Sequence, residues 1–387
     1  MRNPIFFICA LMILFTTSIC AKVRGEAKLD GLYSTILSEQ RELLVHLPNS
    51  YGLNSTQRYP VLFLTDGLRN FNHVSGTLDL LNQSHEAQEM IVVAIKNTHR
   101  TRDLTPTYNE DFNQWGISGG ADKFLSFIEK ELIPHIDKQY RTSNFRVLSG
   151  HSLGGLFSIY ALHTKPQLFQ AYFAFSPSLW WHDGVVVQSA KQFYNNNKKL
   201  NRYLYLNLAD EDGQMLTSYQ EYLTIIEQHK PQGFDYHSDI NTRENHSTSA
   251  MVGNNIALTN LYRLLQCDSE TLANGIDAIK SCFSELSQRY DAQLQPNYTA
   301  YSNAAHAVQK SGATANTIDI YRAAIKQFPY ISDAYFRLAY VYHSTNQYEK
   351  ALETINKALS VSEQENAENN KIKALRDFIM NNPKAPK

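Results

Sequence analysis

The sequence predicts a mostly parallel α/β sheet with helices on both faces, followed by a small all-α domain. Two observations carry this. Over residues 33–265 short apolar runs alternate with longer stretches of helical period, the pattern of strands joined by crossover helices. After about residue 268 strand-like runs cease, and the remainder is helical, rich in Ala, Tyr, Asn and Gln, with a repeat of 34 residues. Composition permits both parts. The chain has 387 residues, more than one average domain, and is 43% hydrophobic and 12% aromatic, which supplies a core and argues against disorder. Its formal net charge is −1 with no basic stripe, so there is no electrostatic case for a nucleic-acid partner or an anionic membrane surface.

The chain opens on what reads as a signal peptide over residues 1–21. Arg2 gives a positive start, residues 5–15 are an unbroken apolar run, and Thr16, Thr17, Ser18 and Ala21 make a small-residue region suited to cleavage near Cys20 or Ala21. The run is shorter than the roughly 18–20 residues a bilayer span needs, so no membrane span is expected after cleavage and the protein is expected in the periplasm or outside the cell. Cys9 and Cys20 fall in the signal, which leaves Cys267 and Cys282. In an oxidising compartment an even pair reads as a disulfide; the alternative is two separate buried thiols.

Residues 22–266 hold the sheet. Residues 43–47 read as a strand ended by Pro48, residues 60–65 as a buried strand opening into Asp66-Gly67, and residues 90–95 as a third. Residues 120–136 have helical period, with Phe124, Phe127, Ile128, Leu132 and Ile133 on one face. Strands at 145–148, 171–175, 203–208 and 234–237 alternate with helices at 156–162 and 217–229. A helical connector follows over 267–297, and residues 298–387 form the repeat region. Its period is the tetratricopeptide length. In the second unit Tyr335, Leu338, Ala339, Tyr342, Tyr348, Ala351, Ile355 and Ala358 fill the large and small positions of a helix pair. Tyr301, Ala304, Ala305, Tyr321, Ala324 and Pro329 fill fewer of them in the first, and residues 371–380 suit a closing helix.

The chemistry centres on Gly150-His151-Ser152-Leu153-Gly154, which fits the nucleophile elbow G-x-S-x-G. The motif alone is weak, but an apolar strand enters it and an apolar helix leaves it, as a serine on a sharp strand-to-helix turn requires. A serine hydroxyl needs a base and an orienting acid to attack. In α/β-hydrolases these follow in the order serine, acid, histidine, each after a sheet strand. The strand at 203–208 runs into Ala209-Asp210-Glu211-Asp212-Gly213, which offers three carboxylates, and His246 lies after the last strand. An oxyanion hole needs backbone N–H groups; Leu153 is one, and Gly67 or Leu68 supplies the other. No H-E-x-x-H or Cys/His metal spacing occurs, and neither metal nor cofactor is expected.

Several motifs in order resemble the putative-esterase family: Tyr59-Pro-Val-Leu-Phe-Leu-Thr-Asp-Gly67, Thr101-Arg-Asp-Leu-Thr-Pro106, Gly119-Gly-Ala-Asp-Lys-Phe124, Gly150-His-Ser-Leu-Gly-Gly155 and Ser176-Pro-Ser-Leu-Trp-Trp181. That family includes ferric-enterobactin and bacillibactin esterases and, more distantly, esterase D. The resemblance spans about residues 30–265 and implies an α/β-hydrolase that cleaves carboxylic esters with a Ser-His-acid triad, carried here by Ser152 and His246. Glu211 looks like the family's glutamate, with Asp210 and Asp212 one step away on either side. The repeat region is not part of the siderophore-esterase pattern, which leaves the substrate open. Arg100 and Arg102 are either anion-binding groups for a substrate or exposed loop charges, and Trp180 and Trp181 either wall the substrate pocket or pack the core. Three functions follow from these residues. The first is ester hydrolysis of a small-molecule substrate; the second is acyl transfer on the same triad. The third is a non-catalytic interaction role in which the helical tail binds a protein partner or a second copy.

Overall fold

The computed structural model describes residues 26–84, 87–310, 313–365 and 369–382, so the signal-peptide reading of residues 1–21 lies outside the described residues. Eight strands make one sheet: β1 (Glu26–Ser34), β2 (Glu39–Leu47), β3 (Tyr59–Leu64), β4 (Ile91–Ile95), β5 (Thr142–His151), β6 (Ala171–Phe175), β7 (Tyr203–Leu208) and β8 (Asp235–Ile240). Their order is β1-β2-β4-β3-β5-β6-β7-β8. β1 and β2 run as an antiparallel hairpin at one edge, and the strands from β3 to β8 are all parallel. This is the mostly parallel sheet, covered on both faces, that the strand and helix alternation predicts.

Burial explains why the central strands were legible as apolar runs. Every residue of β3, β4, β6 and β7 is buried, because a parallel sheet is covered on both faces. Alternate side chains feed two cores. Val61, Phe63, Ile91, Val93, Leu204 and Leu206 point to one, under the helices Ala121–Phe127, Leu153–Thr164, Trp181–Asn196 and Gly213–His229. Leu62, Leu64, Val92, Ala94, Tyr203 and Tyr205 point to the other, under Gly67–Gln83 and Ser249–Leu264. The stretch expected as a helix over 120–136 is helical without interruption from Ala121 to Gln139, with a π-helical turn at Ile128–Leu132 between its α-helical parts Ala121–Phe127 and Ile133–Gln139. Pro134 accounts for the π turn, since it lacks an N–H and its ring crowds the carbonyl one turn back; a wider turn relieves both.

The tail is five helices. Tyr298–Lys310 packs on Thr314–Gln327, Ser332–Ser344 packs on Tyr348–Glu365, and Asn370–Asn381 closes the stack. Ala304, Ala305, Ala324, Leu338, Ala339, Ala351, Ile355 and Ala358 are all buried where the helices meet. The tail does not hang from a flexible link. Its apolar residues continue the second core of the sheet through Leu261, Leu265, Tyr290 and Leu294. The connector and the tail together rest on the N-terminal ends of the parallel strands. Tyr290 stands edge-on to Phe145, Gln293 N–H donates to Asn144 Oδ1 at 2.7 Å, and Tyr330 Oη donates to Gln57 Oε1 at 2.5 Å. A cleft of about 1500 Å³ opens there, walled by Tyr51, Tyr262, Tyr298 and Tyr330, and it holds none of the residues singled out for catalysis.

Cys267 and Cys282 form a disulfide, with Cα atoms 6.1 Å apart, between the end of the sheet domain and the helix Ile276–Tyr290. The bridge closes a loop with a sequence separation of 15. Restricting a loop of that length in the unfolded chain stabilises by about 3 kcal/mol. Reduced protein, or Cys267→Ser/Cys282→Ser, is therefore expected to unfold at lower urea than the oxidised chain. Coincident urea transitions for the two forms would contradict this.

Candidate active site

The nucleophile elbow is built by close approach. Ser152, the residue after β5, has φ 61° and ψ −117°, a backbone conformation that costs energy for any residue with a side chain. The turn is tight enough that a Cβ on Gly150 would sit 2.1 Å from the Gly154 carbonyl oxygen, and one on Gly154 would sit 2.5 Å from Thr65 Oγ1. Only glycine fits at either place. The strained serine is held by its own backbone: its N–H donates to the Phe175 carbonyl at 2.9 Å, and its carbonyl accepts from Leu156 at 2.9 Å and Ser178 at 3.1 Å.

Ser152, His246 and Glu211 come together as one hydrogen-bonded chain. Ser152 Oγ lies 3.0 Å from His246 Nε2, and His246 Nδ1 lies 2.6 Å from Glu211 Oε1. Three residues distant in sequence meet because each follows the C-terminal end of a parallel strand on the same side of the sheet: β5, β7 and β8. Glu211 is selected from its acidic neighbours by its second oxygen, which accepts from Ser176 Oγ at 2.5 Å and Ala209 N–H at 3.1 Å. Asp210 and Asp212 are exposed. Burial alone would raise the Glu211 carboxyl, but the hydrogen bonds from His246 and Ser176 outweigh it and hold the group below its ordinary range. Glu211 is thus an anion aimed at the imidazole.

Leu153 and Gly67 each open a helix, Leu153–Thr164 and Gly67–Gln83, where the first N–H groups have no partner within the helix. Asp66, with φ 55°, makes the turn from β3 into the second of these. A Cβ on Gly67 would lie 2.8 Å from the backbone of Ala94 and Ile95, so this helix starts against β4 only because residue 67 is glycine. Leu68 is exposed.

The two arginines part ways. Arg100 grips Asp66 with both arms of its guanidinium, at 2.6 and 2.9 Å, and reaches the His151 carbonyl at 3.3 Å, so it sits beside the elbow. Arg102 is not brought there. Its guanidinium is taken up by Glu39 at 2.7 Å and Asp103 at 2.8 Å, beside Arg41, which donates to the same two carboxylates. The tryptophans also divide. Trp181 is fully buried and donates to Thr107, a packing role. Trp180 is partly open and clusters with Phe112, whose ring is tilted against it, and with Trp115, which meets it edge-on and is 52% exposed.

Three residues near the triad carry no role in the sequence reading. Ser176 fixes Glu211, Ser178 Oγ lies 3.3 Å from Ser152 Oγ, and His151 Nε2 lies 2.5 Å from the His246 carbonyl oxygen. The available signal was position: His151 is the variable residue of the elbow, and both serines lie in the Ser176-Pro-Ser motif.

Comparison with known proteins bears on the family and the fold. Residues 34–248 match the family described as Putative esterase, and residues 332–365 match a tetratricopeptide repeat. The chain is 32% identical over 169 residues to "Ferri-bacillibactin esterase BesA" of Bacillus subtilis, covering 39% of this chain and 58% of the relative. It is 34% identical over 153 residues to "Siderophore enterobactin esterase" of Emericella nidulans, covering 34% and 50%. The chain thus spans about half the length of these curated relatives. Among solved structures, an IroE-like serine hydrolase from Shewanella oneidensis superposes with a TM-score of 0.69 at 26% identity, over 78% of this chain and 100% of that one. An uncharacterised protein from Capnocytophaga ochracea shares the fold over 91% of this chain and 100% of its own, with a TM-score of 0.61 at 14% identity.

Proposed function

The chain belongs to the putative-esterase family, and from that premise we propose that it hydrolyses carboxylic esters through an acyl-enzyme, with Ser152 as nucleophile, His246 as base and Glu211 as the orienting acid. The observation that carries the reading is the unbroken chain from Ser152 Oγ through His246 to Glu211. In it Ser152 Oγ attacks the ester carbonyl carbon while its proton passes to His246 Nε2. The negative charge that develops on the carbonyl oxygen is met by the N–H of Leu153 and that of Gly67 or Leu68. Collapse expels the alcohol, which takes the proton from His246, and water then repeats the sequence on the acyl-enzyme. Glu211 keeps the proton of the neutral imidazole on Nδ1, which leaves Nε2 free to accept.

Siderophore-type esters are the substrate class we favour. The relatives named as siderophore esterases support it, and so do the aromatic rings beside the nucleophile: Trp180 lies two residues after Ser178 and clusters with Phe112 and Trp115. Such a surface suits an aryl-bearing acyl group. The test is a panel of aryl, thioester, feruloyl and catecholate-lactone esters on purified protein, with Ser152→Ala alongside. The lactone is expected to give the highest kcat/KM. Hydrolysis of simple aryl esters alone would remove the siderophore reading, and transfer to an added acceptor outpacing hydrolysis would replace the hydrolase with an acyltransferase.

The export reading of residues 1–21, together with the Cys267–Cys282 bridge, supports a periplasmic or secreted location. Among the described residues no helix is long and apolar enough to cross a membrane. A recruiting role for the tail is supported by its repeat and by the exposed side chains of Tyr340, Phe378 and Met380.

A further inference from the structure

His151 ends β5 directly before the nucleophile, yet its ring belongs to the other side of the triad. It is buried, at 3% exposure. Its Nε2 meets the backbone carbonyl oxygen of His246 at 2.5 Å, and the two imidazoles lie 4.7 Å apart, inclined by 50°. A carbonyl oxygen only accepts, so His151 Nε2 carries the proton and donates it. Resting on the assignment of Ser152 and His246 above, we propose that His151 is a positioning residue, whose Nε2–H holds the base against the nucleophile by gripping the base's own backbone.

The need for such a grip follows from where His246 sits. It lies on the loop between β8 and the helix Ser249–Leu264, and Thr242, Arg243, Asn245 and Ser247 of that loop are exposed. β8 is an edge strand with no neighbour beyond it in the sheet. Other tethers include Asp210 N–H to the Glu244 carbonyl at 2.9 Å, Arg69 to the Ser247 carbonyl at 3.2 Å, and Ser249 Oγ to the His246 carbonyl at 3.3 Å. Arg69 makes its bond at the surface, where water competes for the carbonyl. His151 makes its bond from a buried ring and, like Ser249 at a longer distance, to the carbonyl of the proposed base itself. Because His151 and Ser152 are consecutive, one rigid strand end carries both the nucleophile and the clamp on its base. Their spacing is set by backbone geometry rather than by side-chain packing.

The charge state suits the task. Burial first, and then the facing His246, push His151 down to about 4; Arg69 acts in the same direction, while Asp66 and the bond to the His246 carbonyl oppose it. The ring is neutral at ordinary pH. Neutrality leaves His246 free to take the serine proton, whereas a cation 4.7 Å away would oppose the imidazolium.

Two substitutions in the full-length protein separate positioning from packing. His151→Gln places an amide N–H near the position of Nε2, and His151→Leu fills the same apolar space with no donor. The readouts are kcat and KM on a p-nitrophenyl ester, the rate of Ser152 labelling by a fluorophosphonate, and the melting temperature. A misplaced base costs about two orders of magnitude when the error approaches 1 Å, so the Leu variant is expected to lose about 30- to 100-fold in kcat. Its KM should stay within about twofold, because substrate binding does not use the clamp. The Gln variant is expected to keep kcat within about fivefold of the wild type. If Leu performs as well as Gln, whether both are active or both impaired, His151 is only a packing residue and the proposal fails. A wild-type protein that neither hydrolyses the ester nor reacts with the fluorophosphonate overturns the assignment of Ser152 itself, a result distinct from equality of the two variants.

Discussion

Ser152→Ala is expected to lower kcat/KM for a short aryl ester by about four orders of magnitude or more, while leaving the protein folded. The fold should hold because the elbow does not depend on the hydroxyl. Its backbone is fixed by Phe175, Leu156 and Ser178, and its tightness comes from Gly150 and Gly154. Alanine has the same Cβ as serine and meets the same strain at φ 61°. What disappears is the atom that forms the acyl bond and the proton that His246 takes. Residual rate acceleration over water of about 10³-fold remains attributable to the oxyanion donors and to binding. The measurement is steady-state hydrolysis of a p-nitrophenyl ester, with a thermal melt on the same sample. Wild-type-like turnover in a folded Ser152→Ala protein would remove the nucleophile from Ser152 and with it the proposed mechanism.

Glu211→Gln is expected to cost about 10³- to 10⁴-fold in kcat. The argument is one of donors and acceptors. Oε2 accepts from Ser176 and Ala209, and Oε1 faces His246 Nδ1. Glutamine has a single acceptor oxygen. If that oxygen stays with Ser176 and Ala209, the amide NH₂ points at Nδ1 and moves the imidazole proton to Nε2, which then cannot accept from Ser152. If the amide turns over, its NH₂ faces the Ala209 N–H instead. Asp210→Asn and Asp212→Asn alter exposed side chains and are expected to change kcat by no more than about twofold. A larger loss from Asp210→Asn than from Glu211→Gln would mean that the loop has a different register around the base.

These residues differ in how far the sequence alone reveals them. Ser152 is legible because its requirements are local: two glycines at fixed offsets, a strand before and a helix after. His246 is legible from topology, since it follows the last strand. Glu211 is not separable from Asp210 and Asp212 on local grounds, because its selection depends on Ser176, 35 residues earlier, and on the Ala209 N–H. Arg100 and Arg102 illustrate the same limit. They sit two residues apart on the helix Arg100–Leu104, and that offset sends one to Asp66 and the other to Glu39. In the fold, the fully buried strands β3, β4, β6 and β7 read as apolar runs, whereas β1 gives no such signal. It is an edge strand with Leu29 and Tyr33 exposed, so no apolar stripe marks it. The helix Trp181–Asn196 is hidden for another reason. His182, Asp183 and Gly184 at its start have positive φ, and no capping side chain announces it.

The sheet also has a polarity that bears on how this protein meets its surroundings. Ser152, Glu211, His246 and Gly67 follow the C-terminal ends of β5, β7, β8 and β3, while the connector meets Asn144 and Phe145, and the tail meets Gln57, at the opposite ends. The proposed active site and the C-terminal helices therefore lie at opposite ends of the sheet. A molecule grafted to a support, or captured by a scaffold, through its last helices presents the proposed active site outward. Crowding at the anchored side does not screen the path by which an ester arrives.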